Sequence, residues 1–212
     1  GDILAYVQMK KYLALKNIAD SELIISKIDS VFKPFTIAQL PIRQDFLVRY
    51  LIDRDTTQGS MSKLLTTAFT KVEDYIDRMP YDFRFIGSIA GVYSMKGKQM
   101  NDTLLIKKGE EYFRRALTFV PDRPDFKYGL ALNLAYQKRY DEAFDVLDKI
   151  IEVDSNLADS YYYYGFVLYF QGEQNYRESL DSFEKSLNLK SDLLLKNEQD
   201  IKDIYSNFVK YF

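Results

Sequence analysis

One arrangement of small and large apolar residues occurs twice in succession and constrains this chain more than any other feature. In the first unit, residues 124–157, Ala131 lies on one apolar helical stripe and Ala143 lies on the next. In the second unit, residues 158–192, Gly165 takes the position of Ala131. Apolar residues at helical spacing in two successive segments predict a pair of antiparallel helices in each unit.

The two units are offset by about 34 residues, with a short insertion around Gln174 in the turn of the second unit. The same arrangement returns upstream in residues 81–123, where additional residues within 98–108 predict a widened turn between the helices. Residues 1–80 fit more loosely and are interpreted as degenerate helical hairpins, and residues 193–212 as a truncated or capping helix.

These residues resemble the tetratricopeptide repeat (TPR) family over the span 83–189. In that family small residues in both helices of a hairpin let the pair pack closely, and the resemblance implies the same role for Ala131, Ala143, Gly165 and Ser179. The resemblance implies an all-α array of about eleven helices, stacked into a right-handed α-solenoid with an inner groove. An irregular α-bundle cap at the N-terminus is an alternative for the loosely fitting part. The register of the first helix expected in residues 41–58 is left open.

In this family the first helix of each hairpin lines the concave surface, so transferring its offsets gives a candidate partner-binding set. This set consists of Arg84, Ser88, Tyr128, Leu132, Tyr136, Tyr162, Tyr163, Phe166 and Tyr169. Its aromatic members suit an extended peptide or a sugar chain. The alternative is that most of these tyrosines pack against neighbouring helices and only two or three face the groove.

Two further expectations follow from the same transfer. Small residues such as Gly87 and Gly91 in the upstream unit predict a pocket beside the aromatic wall. Family members that bind chaperone tails hold a C-terminal carboxylate with cationic side chains, but Tyr128 and Leu132 stand at two of those positions here. Binding of such tails is therefore not expected.

Composition argues against catalysis. The chain contains no His and no Cys, so the usual general base and the commonest thiolate or imidazole metal ligands are missing, and we expect no enzyme activity, cofactor or metal. The carboxylate pair Asp141 and Glu142 is explained by a helix start. A net charge of -2 provides no field that attracts nucleic acid.

A second, more specific resemblance is to the soluble TPR tails of bacterial O-antigen ligase or polymerase-like membrane proteins. It depends on residues 41–46, on Tyr81-Asp82-Phe83-Arg84 and on the segment 116–121. It implies a membrane domain outside this chain, envelope polysaccharide assembly as the context, and glycan as a further partner.

The sequence thus predicts a non-catalytic protein-protein interaction scaffold that binds a partner peptide or protein in an aromatic concave groove. The alternative is the membrane-protein tail in polysaccharide assembly. Location in the cytoplasm or attachment at the cell envelope, the oligomeric state and the partner's identity stay open.

Overall fold

The computed structural model describes residues 59–189, together with Leu23 and Ser26. Within this part of the chain the regular elements are helices and no strand forms, which confirms the all-α class. The hairpins expected in residues 1–58, the register of 41–58 and the helix expected in 193–212 lie outside the described residues. The predicted total of about eleven helices includes those parts of the chain.

Seven α-helices follow one another in the range 59–189. They are α1 (Gly59–Arg78), α2 (Phe83–Met100), α3 (Thr103–Phe119), α4 (Pro124–Tyr136), α5 (Tyr140–Val153), α6 (Ala158–Gln171) and α7 (Tyr176–Asn188). A short 3-10 helix, Glu173–Asn175, precedes α7.

Aspartate side chains set the starts of α2 and α3. Asp82 accepts a hydrogen bond from the Phe85 N–H at 3.2 Å, and Asp102 accepts from the N–H groups of Leu104 and Leu105. Only Asn101, which is left-handed at φ 53°, and Asp102 separate α2 from α3. The additional residues expected to widen this turn lengthen the two helices instead, because their side chains favour helix and Asp102 caps the new start.

The helices pair in sequence order. Helices α2 and α3 form hairpin 1, α4 and α5 form hairpin 2, and α6 and α7 form hairpin 3, with close contact inside each pair. The first helices of successive hairpins also touch, α2 against α4 and α4 against α6. Helix α1 packs on hairpin 1, where Phe69 stacks on Tyr93 with ring centroids 4.1 Å apart.

Small residues allow the close packing inside the hairpins, as predicted. Ala131, Ala143 and Ser179 have no exposed surface (0% each). A Cβ atom at Gly165 would lie 2.9 Å from the ring of Phe183, so only glycine fits there without movement. The Ser179 hydroxyl also donates to the Gly165 carbonyl at 2.7 Å, joining α7 to α6.

A polar cluster that is fully or almost fully buried at Ser94 and Asn133 joins hairpin 1 to hairpin 2, and we call it the polar junction. It consists of Ser94, Glu110, Asn133, Gln137 and Arg139. Asn133 is fully buried, and its Nδ2 donates to the Ser94 hydroxyl at 2.6 Å and to the Ile106 carbonyl at 2.8 Å. Its Oδ1 accepts from Gln137 Nε2 at 2.8 Å. The side-chain amide of Asn133 therefore links α4 to both α2 and α3.

Glu110 supplies the charge of the polar junction. Its carboxylate accepts from Gln137 at 2.7 Å, from Arg139 at 2.6 Å and from Arg114 at 2.8 Å. Burial alone would raise the pKa of Glu110, but these three hydrogen bonds together hold the pKa below its ordinary value. The carboxylate is thus ionised and paired near neutral pH.

Candidate partner-binding surface

A row of aromatic side chains runs along α4 and α6 and crosses from hairpin 2 to hairpin 3. We call it the aromatic row, and it consists of Tyr128, Tyr136, Tyr162, Tyr163, Phe166, Tyr169 and Phe170. Tyr128 of α4 stacks on Tyr163 of α6, with centroids 4.8 Å apart and planes 13° apart. Tyr136 meets Phe170 edge to face at 5.5 Å. Helix-to-helix contact therefore places side chains of two hairpins on one surface.

Within α6 the row continues through edge-to-face contacts. Tyr162 lies 5.3 Å from Tyr163 and 4.9 Å from Phe166, centroid to centroid. Tyr169 lies 5.9 Å from Phe170 and stacks on Tyr176, the first residue of α7, at 5.3 Å. Such ring pairs add stability beyond the area they bury, so the row is held in a defined arrangement.

The predicted site residues differ in how much surface they present. Tyr128 and Tyr162 are buried, with 6% and 7% exposed, and the Tyr128 hydroxyl bonds to that of Ser160 at 2.9 Å. Five others are half-buried, and these are Leu132, Tyr136, Tyr163, Phe166 and Tyr169. The two buried rings support the row, and the half-buried members provide its accessible surface.

Two hydroxyl groups in the row keep their protons under all ordinary conditions. Burial raises the pKa of Tyr136 and of Tyr163 to about 12, and the neighbouring Tyr162 adds to both shifts. Neither hydroxyl bonds to another residue in the described part of the chain. Each is a neutral group that can donate to, or accept from, a ligand.

A lysine that the sequence analysis did not select lies against one end of the row. Lys98 comes from the last turn of α2, and its ammonium lies 5.6 Å from the centroid of Tyr136 and 5.5 Å from that of Phe170. Both distances are within cation–π range. No spacing along the chain marks this contact, because it depends on how hairpin 1 sits on the next two hairpins.

The upstream part of the predicted site, Arg84 and Ser88, belongs to α2 of hairpin 1. Arg84 is exposed and lies over the ring of Phe83, and Ser88 donates to the Arg84 carbonyl within α2. The pocket expected beside Gly87 is filled, because a Cβ atom there would lie 2.3 Å from the ring of Phe126. Glycine serves here as a packing site for α4.

No protein-family model and no curated protein sequence matches this chain. The two resemblances drawn from the residues therefore stay hypotheses. The segment Tyr81 to Arg84 has a local explanation, since Asp82 caps α2 and accepts a hydrogen bond from the Tyr75 hydroxyl at 2.8 Å. The segment 41–46 lies outside the described residues.

Within residues 59–189, no three acidic side chains converge in a way that could hold a metal ion. None of the described helices is both long and apolar enough to cross a bilayer.

Proposed function

We propose that this chain is a non-catalytic interaction scaffold whose aromatic row binds an extended segment of a partner protein. The observation that carries the proposal is the alignment of half-buried rings from two hairpins along one surface, with Tyr128 stacked on Tyr163 at the crossing. Large rigid rings with polar tips are the residues that dominate protein binding sites.

The helix order supports a solenoid as the framework of this surface. Each described hairpin contacts the next one, and the first helices α2, α4 and α6 touch in series. Repeats that contact only their neighbours stack into an extended array with a concave side formed by equivalent helices. We infer that the row lies on the concave side of a right-handed TPR-like superhelix.

We assign direct binding to four half-buried members of the row, Tyr136, Tyr163, Phe166 and Tyr169, and to the half-buried Leu132 of α4. A peptide fits their chemistry because the rings offer apolar contact while the protonated hydroxyls of Tyr136 and Tyr163 offer hydrogen bonds to a peptide backbone. Tyr128 and Tyr162 position these groups from beneath.

The test selects peptides from a displayed random library on the purified protein and measures their affinities for two variants. Tyr163→Ala with Phe166→Ala removes two rings from the row, and we expect binding to weaken at least tenfold, about 1.4 kcal/mol, as for interface hot spots. The matched control is Tyr81→Ala with Leu104→Ala, which removes side chains 77% and 76% exposed elsewhere. The control should retain the affinity within about twofold.

Circular dichroism shows whether each variant keeps its helices. A folded row variant that binds the selected peptides as well as the control does would overturn the proposal, and so would a selection that yields no peptide dependent on the row. If the row bound oligosaccharides but not peptides in the same assay, the proposed ligand would be a glycan and not a peptide.

A further inference from the structure

A second concave site lies away from the aromatic row, between α5, α6 and α7. It is a pocket of about 360 Å³, lined by Asp148, Ile151, Tyr161, Tyr164, Asp181, Ser182 and Lys185. Its volume falls within the range of about 300–1,000 Å³ typical of small-ligand sites. None of its lining residues belongs to the row, so the two surfaces can be tested separately.

The pocket offers acceptors and few free donors. The Tyr161 hydroxyl donates to the Ser155 carbonyl at 3.0 Å, and the Ser182 hydroxyl donates to the Glu178 carbonyl at 2.8 Å. Asp148 and Asp181 make no ion pair or hydrogen bond with any described residue through their carboxylates. A complementary ligand must therefore bring donors.

Carboxylates outnumber cations among the side chains that line the pocket, with Asp148 and Asp181 against Lys185. Partial burial of its carboxyl group raises the pKa of Asp148, and the nearby carboxylates of Glu152 and Asp145 raise it further. The pKa of Tyr164 is raised by burial and by the charges of Asp148 and Glu178. Several negative groups thus act on the same space, which favours a positively charged ligand.

One cation of the chain already uses an aromatic face of this pocket. The Lys185 ammonium lies 4.0 Å from the centroid of Tyr161, although it forms no ion pair with the described carboxylates. The ring thus attracts a cation through its face, and Tyr164 offers a second ring. Two carboxylates without a third ligand are a poor metal site, which points to an organic cation.

We propose that this pocket binds the guanidinium group of an arginine side chain in a partner peptide. A guanidinium is planar, so it can stack on Tyr164 while its five donors reach the carboxylates of Asp148 and Asp181. An ammonium has three donors on a compact centre and cannot stack in this way. Lys185 competes for the same pocket from within the chain.

The probe is acetyl-triarginine amide, titrated into the full 212-residue chain and followed by amide NMR shifts. We expect saturable shifts centred on Asp148, Tyr164 and Ser182. The same peptide with citrulline, which keeps the shape and removes the charge, should bind at least tenfold more weakly. Equal binding of the citrulline peptide, or of trilysine, would overturn the guanidinium assignment.

The matched variants separate a local site from general charge attraction. Asp148→Asn with Asp181→Asn should weaken triarginine binding at least tenfold. Asp74→Asn with Asp77→Asn makes the same change in net charge on exposed positions of α1 and should alter binding less than twofold. Equal weakening in both variants, or none in the first, would contradict the proposal.

Lys185→Met should change the affinity for triarginine in the opposite direction. It removes the internal cation from the Tyr161 face while keeping an apolar stem, so triarginine should bind severalfold more tightly. Unchanged or weaker binding would count against the site. All four acidic side chains are exposed, so the variants are expected to stay folded, which circular dichroism checks.

Discussion

The two hairpin junctions of this molecule are held together by different chemistry. Hairpins 1 and 2 meet through the polar junction, where Asn133 bonds three helices and Glu110 binds two arginines and a glutamine. Hairpins 2 and 3 meet mainly through rings, with Tyr128 on Tyr163 and Phe144 on Tyr164. Two hydrogen bonds add direction there, one from the Tyr140 hydroxyl to the Phe170 carbonyl at 2.7 Å and one between the hydroxyls of Tyr128 and Ser160 at 2.9 Å.

The difference between the two junctions explains how one chain can combine a rigid framework with a binding surface. Buried polar groups demand specific partners, so the polar junction defines a single orientation of its helices. Aromatic contacts stabilise through area and tolerate small shifts, so part of each ring can stay accessible. The surface suited to a partner consequently lies at the aromatic junction.

The largest effect is expected from Asn133→Leu, which removes the centre of the polar junction. The change leaves polar groups of Ser94, Gln137 and Ile106 with fewer partners. It also places a branched side chain close to Gly109, because a Cβ atom built on that glycine would lie only 2.9 Å from Asn133 Nδ2. We expect a loss of about 2–3 kcal/mol in the free energy of unfolding. Urea denaturation followed by circular dichroism measures it.

The control is Asn156→Leu, at an exposed position between α5 and α6, which should change stability by less than about 0.5 kcal/mol. A loss below about 1 kcal/mol for Asn133→Leu would mean that the polar junction does not stabilise the fold more than the aromatic contacts between hairpins 2 and 3 do.

A smaller effect with a pH signature is expected from Glu110→Gln. Since hydrogen bonding lowers the pKa of Glu110 in the folded protein, its contribution is complete above the ordinary value of 4.5 and is lost as pH falls through the lowered pKa. At neutral pH we expect a loss of about 1–2 kcal/mol. Urea denaturation from pH 7 to pH 3 should show the two proteins converging in stability.

The neighbouring Glu111→Gln is the matched control, because its carboxylate is largely exposed and lies 3.7 Å from Lys108. It should cost less than about 0.5 kcal/mol at pH 7. A constant difference between Glu110→Gln and the unaltered protein across the pH range would refute the role of the ionised carboxylate.

The smallest effect is expected at the aromatic junction. Tyr128→Phe removes one hydrogen bond to Ser160 but keeps the ring stacked on Tyr163, so the loss should be about 1 kcal/mol or less. Tyr81→Phe, at an exposed ring, is the control. A loss for Tyr128→Phe equal to that of Asn133→Leu would erase the contrast between the junctions.

Much of the fold could be predicted from periodicity. The apolar stripe of Leu65, Ala68, Val72 and Tyr75 is buried on α1, and the small residues pack inside the hairpins. The polar junction was missed, although Asn133 within the apolar run 130–135 was an available signal, since a polar residue there must find partners when buried. No sequence pattern indicates the pocket of Asp148 and Asp181, because spacing along the chain does not show which exposed acidic side chains line the same pocket.

The sequence by itself determined the helical class and the small residues that let helices pair, because helical spacing and side-chain volume act locally. Only the tertiary structure decided which tyrosines are buried, where Lys98 lies and that Phe126 fills the space beside Gly87. These outcomes depend on contacts between residues far apart in the chain, and such contacts are set by how one hairpin sits on the next.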